Sequence, residues 1–490
     1  MRREEVSRSS PGEEQAESEA PARSRRVPWI QVSGSYFQTD SGEDWTPIGQ
    51  NDAISWPNFS TLFRRKDLGQ VEDHLRWLKA HGVNCLRLML EYAHGKHRYL
   101  ERPMGRFVPD MVRLWDDLFR LCEQHGIRIL LTPYDTFWMW RRWKNHPYNV
   151  ANGGCADLPS RLLLSAEVRQ AVKARFSFAV ERWGGSGALF AWDLWNEIHP
   201  AHAMDSADSF GEFIGDLSAH VRALERRLYG RSHPQTVSLF GPELVWKPHL
   251  PMEEPIFRHP ELDFATIHIY EEGTIDDPRD TVAPAIGTGR IVREALSKIP
   301  DGRPFMDSEH GPIHAFKDKH RRLFEPFDDE YFRHMQWAHF ASGGAGGGMR
   351  WPNRNPHVLT HGMRVAQRGL AGFLPLIDWG NFRRANLNRE IRVLGAEVAC
   401  FGCGDESQAV VWLLRRKTLD AKGMVNRSAA AVAPQLEIPG LSAGRYSVTA
   451  WNTAEGRRQA VLELEHAGTG PLCLACPPLV TDLALAVRWF

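Results

Sequence analysis

The chain has no surplus of either charge: Lys and Arg number 60, and Asp and Glu number 60. That balance offers nothing to a polyanion, so neither nucleic acid nor an anionic membrane surface is an expected partner. No apolar run approaches the ~20 residues that a bilayer-spanning helix needs. The first 26 residues, Met1 to Arg26, carry Arg, Glu, Ser and Pro and almost nothing apolar. They have no hydrophobic stretch of the kind a secretory leader requires. They read as a disordered tail, and cytoplasmic residence is the corresponding expectation. A His-x-His pair at an early strand end, which a metal-dependent barrel hydrolase would want, is also missing.

Cysteine is sparse, with seven in 490 residues, but four of them form two Cys-x-x-Cys pairs, Cys400/Cys403 and Cys473/Cys476. Their separation is far longer than that of a zinc ribbon, and the expectation is buried structural thiols. Trp is plentiful, at 18. Most of these rings should be core, and some are free to serve as flat platforms for sugar C–H faces.

From Val27 to about residue 385, short apolar segments alternate with amphipathic helices. Expected strands are 29–32, 83–90, 127–132, 189–195, 236–240, 264–269, 304–307 and 347–351. Between them, Val71, Leu75 and Leu78 share one helical face that stops at Gly82. Val112, Trp115, Leu118 and Cys122 share another that stops at Gly126. Ser165 is placed to cap a helix running to Gly184, and 205–229 stops at Gly230. Eight strand–helix repeats predict an α/β chain folded as a (β/α)8 TIM barrel. After about Asn386 the period changes to two, as in Leu462/Leu464 against Glu463/Glu465, with turns at Pro439-Gly440 and Ala443-Gly444. This predicts a C-terminal antiparallel β-sandwich over 386–490, following a barrel over 27–385 and the tail 1–26.

The chemistry sits at the ends of the expected strands. The stretch 188–195 is apolar except for Asp193 and ends in Asn196-Glu197; about 110 residues later, 303–311 delivers Glu309 in the same way. Two carboxylic acids on two strand ends suit glycosidic cleavage, one protonating the leaving oxygen while the other attacks or activates water. Asn196 can hold a sugar hydroxyl beside the bond. Arg87 closes another strand and can keep a neighbouring carboxylate ionised. His268 and Tyr270 close a further one, and Trp351 could floor a sugar subsite. Tyr134, Asp135, Trp138, Trp140 and Trp143 crowd the loop after the third strand, and Trp246 follows the fifth.

The order Asn84–Arg87, Trp195-Asn196-Glu197, His268-Ile269-Tyr270, Glu309-His310-Gly311 and Trp351 resembles family 5 glycoside hydrolases, the cellulase and mannanase family of clan A. The resemblance covers about two thirds of the chain. It implies Glu197 as general acid/base, Glu309 as nucleophile, and retention of anomeric configuration on a β-linked glucan, mannan or related oligo- or polysaccharide. It implies substrate-binding roles for Arg87, Asn196, His268, Tyr270 and Trp351, with no metal or organic cofactor. One departure stands out: the family usually places a His at the end of strand three, where this chain reads Leu131-Thr132-Pro133-Tyr134-Asp135. A catalytically silent carbohydrate-binding barrel is the competing reading, and the presence of both Glu197 and Glu309 speaks against it.

Overall fold

The computed structural model describes residues 27–92, 98–199, 206–270, 278–312, 323–352 and 357–490; the expected tail, 1–26, lies outside them. Eight strands form one parallel sheet: β1 (Gly49–Asp52), β2 (Cys85–Met89), β3 (Arg128–Thr132), β4 (Leu189–Asp193), β5 (Gln235–Thr236), β6 (Ala265–Ile269), β7 (Phe305–His310) and β8 (Met349–Arg350). Their order is β5-β4-β3-β2-β1-β8-β7-β6. A parallel bridge between Phe240, just beyond β5, and His268 of β6 closes the sheet into a (β/α)8 barrel. Every residue of these strands is buried, as expected where side chains fill the barrel on one face and meet helices on the other.

The first barrel strand differs from expectation. The apolar segment 29–32 instead belongs to a small antiparallel sheet of Ile30–Ser33, Tyr36–Thr39 and Asp44–Trp45. Ile30, Phe37 and Trp45 share a core with Cys85, Leu130, Phe190, Phe264, Met306 and Met349, so this sheet plugs the barrel interior. Phe37 meets Phe190 and Phe264 edge-on at 5.0 and 5.4 Å. The true first strand reads Gly49-Gln50-Asn51-Asp52. It has no apolar residue, because its inward groups face polar partners.

The helices begin and stop where local chemistry says they should. Asp67 caps Leu68–Ala80 by accepting from the Gln70 N–H, and Ser165 caps Ala166–Trp183 by accepting from that of Val168. Pro109–His125 ends at Gly126, whose φ of 63° is left-handed.

Antiparallel strands follow from Ala385 to Trp489, in a six-stranded and a three-stranded sheet. Leu436, Ile438, Leu472 and Leu474 of the smaller sheet share a core with Val411, Leu413, Tyr446 and Leu485 of the larger, which makes a sandwich. The other face of the larger sheet packs on the barrel: Phe401, Trp412 and Trp451 join Trp337, Phe340 and Phe373 of the helices Glu325–Ala341 and His361–Phe373. Cys400 and Cys403 lie in the strand Val398–Gly404, opposite Leu413 and Val410, so their intervening glycine is a sheet position and not a metal knuckle. Burial raises the Cys403 thiol to about 12. It also raises the Cys400 thiol, as expected for a thiol closed into a sheet.

Candidate active site

The strand ends converge on Arg87. This guanidinium is fully buried and holds Asp193 through Nε at 3.2 Å and Nη2 at 2.7 Å. Nη1 donates to Asn51 Oδ1 at 2.9 Å and to Glu309 Oε2 at 3.1 Å. Nη2 also donates to Asn196 Oδ1 and, at 3.2 Å, to Ser238 Oγ. One cation from β2 thus joins groups from β1, β4, β7 and the segment after β5. Burial alone would lower its pKa, but the charges of Asp193 and Glu309 leave it raised.

Glu309 reaches this centre through a bulge. Residues Asp307 and Glu309 of β7 pair with the consecutive Ile267 and His268 of β6, so Ser308 is extra. The Tyr270 hydroxyl donates to Glu309 Oε1 at 2.6 Å. Burial raises the Glu309 pKa; Arg87 and Tyr270 pull it down, while Glu197 pushes it up.

Glu197 sits on a left-handed backbone, φ 49°, a conformation that costs a non-glycine residue ~1–3 kcal/mol. Neighbouring strands hold it there. The Asn196 N–H donates to Tyr134 O at 2.8 Å and the Ile198 N–H to Ser238 O at 3.0 Å. Its side chain keeps 19% exposure, against 8% for Glu309. Burial, reinforced by the charges of Glu243 and Asp193 and opposed by Arg87, raises its pKa to about 7. His268 Nδ1 lies 2.9 Å from Glu197 Oε1 and 3.7 Å from Glu309 Oε2. Burial lowers the His268 pKa to about 4, which leaves a neutral imidazole hydrogen-bonded to Glu197.

Among the described residues, Glu197, His268 and Glu309 are the group that could gather around a metal ion, each offering an atom within 4.8 Å of the others. Arg87 already supplies a cation to Glu309 at 3.1 Å. The donor set is thus better matched to a substrate carbon and a proton than to an added positive charge.

Trp351 stands at the mouth. Trp56 meets it at 5.0 Å and Tyr92 at 5.3 Å, and Trp138 meets Tyr92 at 5.2 Å. These rings follow β8, β1, β2 and β3, forming an aromatic wall on the side of the strand ends that carry Glu197 and Glu309. Tyr134 is no part of it. It is 2% exposed, stacked on Trp195 at 5.0 Å and hydrogen-bonded to the Tyr148 hydroxyl, so it is core. Trp143 stacks on His146. Trp246 is 59% exposed and lies against Phe240, itself 5.4 Å from Tyr270.

All seven residues expected at the site therefore lie at one end of the barrel, six of them around the buried polar centre and Trp351 above it. Sequence reasoning missed Asn51, Asp193 and Ser238. Asp193 carried a signal, being a lone carboxylate inside an apolar strand.

No family model matches the chain. "Mannan endo-1,4-beta-mannosidase 7" of Arabidopsis thaliana is 23% identical over 221 residues, covering 40% of this chain and 48% of that protein. "Probable mannan endo-1,4-beta-mannosidase F" of Aspergillus oryzae is 23% identical over 283 residues, covering 54% and 55%. The chain spans about half the length of these curated relatives. A glycoside hydrolase family 5 structure from Bacteroides vulgatus superposes with a TM-score of 0.60 at 12% identity, over 94% of each chain. The resemblance read from the motifs thus holds in sequence over part of the chain and in fold over nearly all of it: the protein is similar to family 5 glycoside hydrolases of clan A, mannanases among them.

Proposed function

We propose that the protein is a retaining β-glycosidase, with Glu309 as nucleophile and Glu197 as general acid and base. The observation that carries this reading is the spacing of the acids. A carboxylate oxygen of Glu197 lies within 4.8 Å of one of Glu309. Retention uses carboxyl groups ~5–5.5 Å apart, whereas inversion needs ~6.5–9.5 Å to admit a water. The unequal surroundings support the division of labour. Glu309 has Arg87 and Tyr270 to favour its anion, and Glu197, raised to about 7, can hold a proton near neutrality.

In the first step Glu309 bonds to the anomeric carbon as the C–O bond to the aglycone breaks, and the Glu197 proton goes to the departing oxygen. The resulting ester removes the Glu309 charge, so the pKa of Glu197 falls. In the second step Glu197 takes a proton from water, whose oxygen bonds to the same carbon and displaces Glu309. For the substrate we favour a β-mannosidic linkage, on the names of the two curated relatives; a β-glucan is the next in line.

The test uses β-mannans, β-glucans and aryl β-glycosides. Glu309→Ala should be close to inactive on all of them. Glu197→Ala should spare aryl glycosides whose leaving groups need little protonation, while losing ~10²–10⁴-fold on the others. Equal losses on every leaving group, or an α-configured first product, would sink the assignment.

A further inference from the structure

Asn196 can serve a sugar hydroxyl only if its amide is held one way round. Its Oδ1 accepts from Arg87 Nη2, and its Nδ2 donates to Asp135 Oδ1. These contacts define the orientation and use one of the two amide hydrogens. Asp135 also caps the helix Thr136–Arg142, where its Oδ2 accepts the Trp138 N–H at 2.6 Å. The segments are joined through backbone as well, with the Asn196 N–H donating to Tyr134 O at 2.8 Å and the Thr136 N–H to Asn196 O at 3.1 Å.

We propose that Asp135 is a positioning residue for the glycosidase reaction, locking the Asn196 amide so that its remaining hydrogen meets a sugar hydroxyl. The proposal rests on the function proposed above. Both oxygens of Asp135 act as acceptors, and the residue is 7% exposed. The position therefore calls for a carboxylate, since Asn or Ser offers one acceptor where two are used. In Asp135→Asn, an oxygen kept on the Trp138 N–H turns the new amide toward Asn196 Nδ2. Two donors then face each other, and relief by flipping Asn196 would turn its own N–H groups toward Arg87. The same cap ties Trp138, and through it Tyr92 and Trp351, to the strand end that carries Glu197.

The experiment compares Asp135→Ser, Asp135→Asn, Asn196→Ala and the double variant Asp135→Ser/Asn196→Ala on a β-glycoside that the wild type cleaves. Asp135→Ser retains an oxygen for the helix cap and removes the anchor. It should lose roughly 10–100-fold in kcat, the cost of leaving the buried Asn196 N–H without its acceptor, with KM changing much less. The double variant should be no slower than Asn196→Ala alone, because Asp135 acts through Asn196. Wild-type kcat in Asp135→Ser, or losses that multiply in the double variant, would overturn the proposal. Should Asp135→Ser not fold, Asp135→Asn carries the same expectations. If the wild type cleaved no glycoside, the functional reading would fail by itself. Crystal structures of the Asp135 variants would then decide the positioning role: an Asn196 amide rotated away from Arg87 supports it, and an unmoved amide refutes it.

Discussion

Arg87 and Asp193 face each other with no exposed side-chain surface on either, joined by two hydrogen bonds of 3.2 and 2.7 Å. The pair holds the guanidinium in one orientation, with Nη1 left to face Glu309. Asp193 thus aims the charge that supports Glu309 without reaching the site itself.

Replacing Arg87 tests this arrangement. Lys cannot reproduce a planar fork that serves Asp193, Asn51 and Glu309 together. Arg87→Lys should lower kcat/KM at least ~100-fold, and Arg87→Met should cost about 3–5 kcal/mol of stability by leaving buried carboxylates unpaired. Denaturant unfolding alongside kinetics separates the two effects. A Met variant as stable as the wild type would contradict this account.

The raised pKa of Glu197 predicts a trade between stability and function. Its folded-state value, about 7, lies above the ordinary carboxylate range. Below that ordinary range the side chain costs nothing. As pH rises towards 7 the unfolded chain ionises first and stability is lost; above about 7 the loss is constant. At ~1.4 kcal/mol per pKa unit this approaches about 3 kcal/mol. Glu197→Gln should therefore be more stable than the wild type at pH 8 and equal to it at pH 4. Thermal unfolding at the two pH values checks this, and a variant equally or less stable at pH 8 would refute it.

We further propose that the C-terminal sandwich stabilises the barrel and has no catalytic part. Trp337, Phe340 and Phe373 of the barrel helices pack against Phe401, Trp412 and Trp451. Removing 386–490 would expose that apolar face, so the truncated chain should be insoluble or much less stable. A soluble, fully active truncation would show the contact to be dispensable.

The barrel was legible in sequence where its strands are apolar on both faces, as in β2, β3 and β4. It was illegible at β1, whose Gly49-Gln50-Asn51-Asp52 carries no hydrophobic signal. Asn51 instead donates to Ser308 O at 2.9 Å and Met349 O at 3.0 Å, tying β1 to β7 and β8. The apolar 29–32 imitated a first strand because a plug and a barrel strand both bury their side chains. At the site, the residues at strand tips could be read, because a charged or amide group ending an apolar run is conspicuous. Trp56 and Tyr92 could not, because rings in loops carry no period, and only the closed barrel brings them to Trp351.

The hydrogen bond from Tyr270 to Glu309 gives the most directly readable pH effect. The phenol donates to Oε1 at 2.6 Å, and burial raises its own pKa well above the ordinary tyrosine value, so it stays a donor throughout the working range. A donor to an anion lowers the pKa of that anion; removing it raises the pKa. In the proposed mechanism kcat/KM rises with pH as Glu309 ionises and falls as Glu197 loses its proton near 7. Tyr270→Phe keeps the ring and removes only the hydroxyl. Its acidic limb should therefore move to higher pH while its basic limb stays in place, so the bell narrows from the acid side. A charge-assisted bond contributes ~1.5–3 kcal/mol, so the loss at the optimum should be roughly 10–100-fold. Were the basic limb to move while the acidic one stayed, the two carboxylates would have exchanged roles, with Tyr270 serving the acid.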